Sequence, residues 1–185
     1  EAIGVYSALI KLAEDISETA LLEQIRELNN RKDIHGILVQ LPLPNHISEE
    51  AVIATISPEK DVDGFSPISV GKMMLGQETY LPCTPYGVMK LLEHSGIDVA
   101  GKHAVIVGRS HIVGKPMGQL LLQKDATVTY THSKTKDLAS FTKQADILIA
   151  AVGRPKFITA DYIKEGAVVI DVGINRDENK KLVGD

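Results

Sequence analysis

Val105-Ile106-Val107-Gly108-Arg109-Ser110-His111-Ile112-Val113-Gly114-Lys115-Pro116 is the stretch that decides the fold. An apolar, β-branched run feeds a loop with Gly108 at one end and Gly114 at the other, and a helix is expected from about Gly114. Such a loop brings backbone N–H groups and a helix N-terminus up to a phosphate, because glycine permits close approach and unusual dihedrals. The spacing is not Gly-x-Gly-x-x-Gly, so on the glycines alone a plain strand–turn–helix explains it equally well.

Outward from this loop the pattern repeats. A strand is expected over His103–Val107, then a turn and helix, a strand over Ala126–Tyr130, a helix, a strand over Asp146–Ala150, a helix, and a strand over Ala167–Val172. That rhythm is the signature of a doubly wound, mainly parallel nucleotide-binding sheet. The second strand ends at Thr131-His132-Ser133-Lys134-Thr135, with no carboxylate to hold a ribose 2′-hydroxyl. A solvated polar turn would explain those residues in isolation. Together with Arg109, whose planar fork suits phosphate, they favour NADP over NAD.

The first half has the same alternation in weaker form. Residues 4–10 read as a strand, and Ser17 with Glu18 opens a helix carrying Leu21, Leu22, Ile25 and Leu28 at helical spacing. Gly36–Gln40 reads as a buried strand stopped by Leu41-Pro42-Leu43-Pro44, since proline lacks a ladder donor and restricts its predecessor. Ser48 caps a helix with Ala51, Val52 and Ile56 on its apolar face, and a polar loop runs from Ser57 to Ser66. Pro82-Cys83-Thr84-Pro85 reads as a domain joint, with Thr84 the cap and Pro85 in the first turn of a helix that carries Val88, Leu91 and Leu92 and ends near Gly96. The expected fold class is therefore α/β: an incomplete N-terminal α/β catalytic domain over residues 1–83, then a Rossmann-like NAD(P)-binding domain over 84–185 with a mainly parallel sheet.

Bulk properties narrow the function classes. The chain has 185 residues, 44% hydrophobic and 24% charged, with a net charge of −4. Both signs are spread along it, which argues against nucleic acid or an anionic membrane as partner. No apolar run approaches the roughly 18 residues a bilayer span needs. The single cysteine, Cys83, excludes an internal disulfide and fits a reducing, cytoplasmic setting. A cation loop over Lys60-Asp61-Val62-Asp63-Gly64 is disfavoured because the other spaced oxygens are absent, so no metal is expected. The first residue is Glu1 and the last, Lys181 to Asp185, break off beside a strand pattern, so a fragment is expected, its C-terminal domain also incomplete.

Several motifs resemble the methylenetetrahydrofolate dehydrogenase/cyclohydrolase family. They are Gln40-Leu41-Pro42-Leu43-Pro44, Pro58 through Phe65, Pro82-Cys83-Thr84-Pro85, Val107 through Pro116, His132-Ser133-Lys134-Thr135 and Asp171-Val172-Gly173-Ile174-Asn175. The resemblance implies oxidation of methylene-tetrahydrofolate by hydride transfer to NADP and hydrolysis of the methenyl product to formyl-tetrahydrofolate, by a homodimer. It implies that Gln40 orients the catalytic lysine, that Asp63 holds the pterin ring, and that Leu41 and Pro42 line the folate. For the cofactor it implies Gly108, Arg109, Ser110 and Ile112 at the phosphate loop, Ser133 at the 2′-phosphate, Gly173 and Ile174 at the nicotinamide half, and Thr84 nearby. A nucleophilic Cys83 is disfavoured, because lone cysteines are more often inert.

The resemblance also implies an early helix bearing Tyr-x-x-x-Lys, whose lysine is the central catalytic group. It is not found; Tyr6 and Lys11 are five apart and fall on an expected strand. A proline- and glycine-rich segment that closes the folate site in the family is not found either. The 185 residues alone are therefore expected to be inactive. Two other readings remain: a non-catalytic NADP-binding module, which the missing lysine supports, and a two-domain NADP dehydrogenase of the shikimate type. The latter leaves Gln40–Pro44 and the Asp63 loop unexplained.

Overall fold

The computed structural model describes residues 4–185, and the chain divides into two compact units, Glu1–Asp61 and Val62–Asp185. In the first unit, helix α1 (Glu18–Asn30) starts where Ser17 Oγ accepts a hydrogen bond from the Ala20 amide at 3.2 Å. Helix α2 (Glu49–Thr55) starts the same way at Ser48, with Glu49 and Glu50 in its first turn, where the helix dipole favours negative charge. Leu21 and Ile25 of α1 pack with Ile37, Ile47, Val52 and Ile56 as the core of this unit. Asn29 joins the helices: its amide donates to the Thr55 carbonyl at 2.7 Å and accepts from the Ser57 amide at 3.0 Å.

Lys60 closes the far end of α1. Its ammonium donates to the carbonyls of Leu28 (3.0 Å), Asn29 (2.7 Å) and Arg31 (2.7 Å), matching its three donors to three helix-end acceptors. The Lys60 carbonyl then accepts from the Ile37 amide at 2.8 Å, and Ile37 bridges Asp61 in parallel.

Two expected strands do not form here. Over residues 4–10 the backbone makes no ladder, and Val5, Tyr6, Leu9 and Ile10 are exposed. Gly36–Gln40 contributes only the single bridge at Ile37; Leu38 and Gln40 are exposed. Apolar content alone does not make a strand: pairing and a covering layer do, and neither segment has a ladder partner among the described residues.

In the second unit, helix α3 (Pro67–Met74) is capped by Ser66, whose Oγ accepts from the Ser69 amide. Helix α4 (Cys83–His94) begins one residue before the expected cap. Pro82 holds the cap position, and Thr84 lies inside the first turn without capping it. Val88 and Leu92 are buried, whereas Leu91 is 52% exposed, on the outer side of the helix.

The sheet follows as β1 (His103–Val107), helix α5 (Gly114–Leu122), β2 (Thr127–Thr131), helix α6 (Leu138–Thr142), β3 (Ile147–Ala150), a 3₁₀ turn (Ala160–Tyr162), β4 (Val168–Asp171) and the hairpin strands β5 (Asn175–Arg176) and β6 (Leu182–Val183). Its order is β2-β1-β3-β4, with every pair parallel. The helix expected between β3 and β4 is only the 3₁₀ turn.

Ala104–Val107 of β1 and all of β3 are buried, which is why they read as continuous apolar runs. On one face Ala104, Ile106, Ile147 and Ile149 pack against Val88, Leu92, Met117 and Leu121. On the other, Val105, Val107 and Leu148 pack against Ala145, Leu138, Phe157, Ile158 and Ile163.

The division into units at Asp61/Val62 differs from the 83/84 joint read from the sequence. The segment between them packs with the second unit: α3 meets α5, where Gln119 and Gln123 donate to the Met74 and Met73 carbonyls, and the backbone at Gly64 lies against Tyr80.

At the amino ends of the strands, Asp146 accepts from the His103 amide at 2.9 Å and from Lys164 Nζ at 2.6 Å. The Lys164 hydrogen bond, then that of His103, holds the Asp146 carboxyl down at about 2. Because the folded value is depressed, the stabilisation is present above the unfolded value of about 3.9 and is lost as pH falls through the folded one. Asp146→Asn is therefore expected to lower the melting temperature at pH 7, with the difference from wild type shrinking as unfolding is followed from pH 5 down to pH 2.

Candidate functional site

The chain runs from β1 to β2 on one side and then crosses back to β3 on the other. The carboxyl ends of β1 and β3, at Val107 and Ala150, therefore form the switch point where doubly wound sheets bind ligands. Gly108 follows Val107 with φ +137°, and a Cβ there would lie 2.2 Å from the Ala151 carbonyl oxygen. At Gly114 a Cβ would lie 2.5 Å from the Gly108 carbonyl oxygen and 2.8 Å from the Arg109 nitrogen, so the start of α5 sits directly on the loop. Both glycines are there because backbone meets backbone.

Within the loop, Ser110 Oγ accepts from the Val113 and Gly114 amides at 3.2 Å each, and the Ser110 carbonyl accepts from the Lys115 amide at 3.0 Å. Ser110 thus shapes the loop as well as facing outward. Arg109, Ser110, His111 and Ile112 are exposed along this edge. The first turn of α5 is anchored by Tyr130, whose hydroxyl donates to the Lys115 carbonyl at 2.8 Å; the ring passes over Gly118, where any Cβ would collide with it.

The other half of the edge belongs to β2. Val107 pairs with Thr131, and the Gly108 amide donates to the Thr131 carbonyl at 3.0 Å. A tight turn follows, held by His132 N to Thr135 Oγ1, Lys134 N to His132 Nδ1 and Thr135 N to His132 O, and it leaves Ser133 and Lys134 exposed. Register puts Arg109 and Ser133 each two positions beyond the Val107–Thr131 pair, on the same edge of the sheet.

Beyond β4, the Gly173 amide donates to Asp171 Oδ1 at 2.8 Å and Ile174 is 84% exposed. Sequence reasoning missed what surrounds Gly173. A Cβ there would lie 2.1 Å from a carboxylate oxygen of Asp185, which is only 5% exposed. Asp185 accepts from the Val152, Gly153 and Arg154 amides and from Asn175 Nδ2. Burial works against its charge, but the hydrogen bonds from Asn175, Gly153, Val152 and Arg154 together outweigh burial and hold the carboxyl below its ordinary range. No local pattern announces contacts between residues so far apart in the chain.

Asp63 is half-buried in the second unit. Gly64, at φ +66°, has its Cβ position 2.5 Å from the Tyr80 carbonyl oxygen, so this turn is pinned backbone to backbone. Cys83 Sγ lies 3.9 Å from both Asp63 Oδ1 and the Val62 carbonyl. Burial, then the Asp63 charge and hydrogen bond, push the thiol up, away from the thiolate a nucleophile needs. Thr84 is exposed in the first turn of α4. In the first unit, Gln40 is exposed and donates to the Leu41 carbonyl at 2.9 Å; Leu41 is half-buried and Pro42 exposed.

The Tyr-x-x-x-Lys spacing does occur later in the chain, at Tyr86/Lys90 and Tyr130/Lys134. The second straddles a strand end. The first lies on α4, where Lys90 pairs with Glu93 at 2.7 Å and sits 5.5 Å from the Tyr86 ring centroid. The hydrogen bond to Glu93 raises the Lys90 pKa, opposite to what a proton-transferring lysine needs.

Among the described residues no His, Cys, Asp or Glu group is arranged to hold a metal, and no helix is long and apolar enough to cross a membrane. A cavity of about 140 Å³ bounded by Ile97, Asp98, Lys102, Asp146, Lys164 and Val168 opens at the amino edge of the sheet, away from the glycine loop.

Comparison with known proteins gives matches over both parts of the chain. Residues 1–63 match the tetrahydrofolate dehydrogenase/cyclohydrolase catalytic domain, and residues 82–185 match the NAD(P)-binding domain of the same family. The bifunctional protein FolD of Lysinibacillus sphaericus is 80% identical over all 185 residues, which span 65% of its length. The crystal structure of the bifunctional FolD dehydrogenase/cyclohydrolase of Campylobacter jejuni is 53% identical, with a TM-score of 0.90 over 93% of this chain and 61% of that one. The FolD enzyme of Trypanosoma brucei, solved with NADP cofactor and an inhibitor, is 40% identical, with a TM-score of 0.86 over 93% of this chain and 61% of that one.

Gly108→Ala tests the loop geometry. It should cost roughly 1–3 kcal/mol of stability in denaturant unfolding, since the strained dihedral and the approach to Ala151 cannot both be kept.

Proposed function

The chain belongs to the tetrahydrofolate dehydrogenase/cyclohydrolase family, and from that premise we propose that the full-length protein oxidises methylene-tetrahydrofolate with NADP and hydrolyses the methenyl product to formyl-tetrahydrofolate. The observation that carries this is the match of both family domains to one chain whose second unit holds a glycine loop at the switch point of a parallel sheet. Bound NADP supplies the hydride acceptor. Folate one-carbon units of the product's kind serve purine synthesis.

The chain's own residues supply binding and orientation. Gly108 and the start of α5 bring backbone amides to the pyrophosphate, with Ser110 and Ile112 beside it. Arg109 and Ser133, two positions past one register pair, hold the 2′-phosphate by charge and hydrogen bond. Gly173, Ile174 and Thr84 meet the nicotinamide half. Asp63 accepts hydrogen bonds from the pterin N–H groups. Leu41 and Pro42 are folate contacts. Gln40 positions the catalytic lysine through its amide. The folate-binding part is taken as residues 1–83 and the nucleotide part as 84–185. The protein is read as a cytoplasmic homodimer with folates, rather than nucleic acid or membrane, as its partners.

Neither Tyr-x-x-x-Lys spacing present matches the family's early helix, which favours a second reading for these 185 residues by themselves: an NADP-binding module without turnover. Both readings are tested by following nicotinamide absorbance with methylene-tetrahydrofolate and NADP or NAD, on this chain and on the full-length protein. Turnover in the full-length protein alone supports both. No turnover in either, with NADP still bound, removes the folate assignment.

Arg109→Ala in the full-length protein should raise KM for NADP by about tenfold or more, the scale of one lost charge-assisted phosphate contact, and leave KM for NAD within about twofold. Equal losses for the two cofactors would remove Arg109 from the 2′-phosphate site.

A further inference from the structure

The loop after β3 is held by a residue far along the chain. Val152, Gly153 and Arg154 present three successive amides to one carboxylate, that of Asp185, and Asn175 adds a fourth donor. Successive amides of this kind form an anion-binding concavity. The neighbouring backbone reinforces the seat: the Gly184 carbonyl accepts from the Lys156 amide at 3.0 Å and the Asp185 carbonyl from Ile158 at 2.7 Å. Two glycines keep the space open. A Cβ at Gly173 would strike the Asp185 carboxylate, and one at Gly184 would strike that of Asp171, which itself accepts from the Gly173 and Asp185 amides.

This loop begins at Ala151, whose carbonyl oxygen occupies the space a Cβ on Gly108 would need. What fixes residues 152–154 therefore fixes the wall against which the phosphate loop rests.

We propose that Asp185 is a positioning residue of the nucleotide groove: its carboxylate, seated on the Val152–Arg154 amides, sets the height of Ala151 beneath Gly108 and so tunes affinity for the dinucleotide. This rests on the nucleotide reading above. The groups facing Asp185 are the three amides, Asn175 and the Asp171 carboxylate, so a neutral residue at 185 loses a charged acceptor among four donors.

The test uses the full-length protein, with NADP titrated by calorimetry and steady-state rates measured alongside. Asp185→Asn should raise both the Kd and the KM for NADP by about tenfold, while kcat and KM for the folate change by less than about twofold. Asn175→Ala, which removes one donor and leaves the carboxylate, should move the same two parameters by less, and keeps the test open if the first variant fails to fold. Loss of melting temperature or of active fraction with Kd for NADP unchanged in the variant that folds overturns the proposal, since it makes Asp185 a fold bond only. Wild-type protein that binds no NADP overturns the nucleotide reading and this inference together.

Discussion

The approach of Gly108 to Ala151 is the constraint on which the second unit depends. Parallel pairing of β1 with β3 brings two loops out of the sheet at the same level, and side-chain volume there would force them apart. The sequence accommodates this with a glycine at positive φ, a second glycine where α5 begins, and Tyr130 tying down the first turn of that helix. The buried strands behind the loops supply the rigidity. Val105, Val107 and Leu148 on one face and Ile106, Ile147 and Ile149 on the other leave β1 and β3 no room to slide.

The two units are stabilised by different means. In the second, a sheet with both faces covered buries long apolar runs. In the first, within the described residues, order comes from two capped helices, a small aliphatic core and the polar links made by Asn29 and Lys60. Lys60 is instructive because a loop lysine is usually read as a solvent charge. Here its three donors are taken by carbonyls at one helix end, which ties the turn carrying Asp61 to α1.

Much of the second unit was legible in the chain. Its strands are short, apolar and evenly spaced, and the register that aligns Arg109 with Ser133 follows once β1 and β2 are known to pair. Boundaries moved by a residue or so, and Thr84 lost its capping role to Pro82, because an N-cap is decided by backbone angles that proline can also supply. Less was legible where pairing matters more than composition. Residues 4–10 and 36–40 are apolar enough for strands, yet a strand exists only through its neighbour. Leu91 shows the limit of helical spacing, which identifies a face without saying how wide it is. Asp185 was out of reach altogether: its three amide donors lie 31 to 33 residues upstream, and nothing in the local sequence distinguishes a seated carboxylate from a solvated one.

That distance also orders events in time. A chain made from its amino end delivers β1, the glycine loop and β3 well before residue 185. Until then the amides of Val152, Gly153 and Arg154 lack their acceptor, and the wall beneath the loop is held only from the β3 side. The nascent sheet can thus assemble early while the groove at its edge stays soft. Asp185 acts as a keystone, set after the arch is standing.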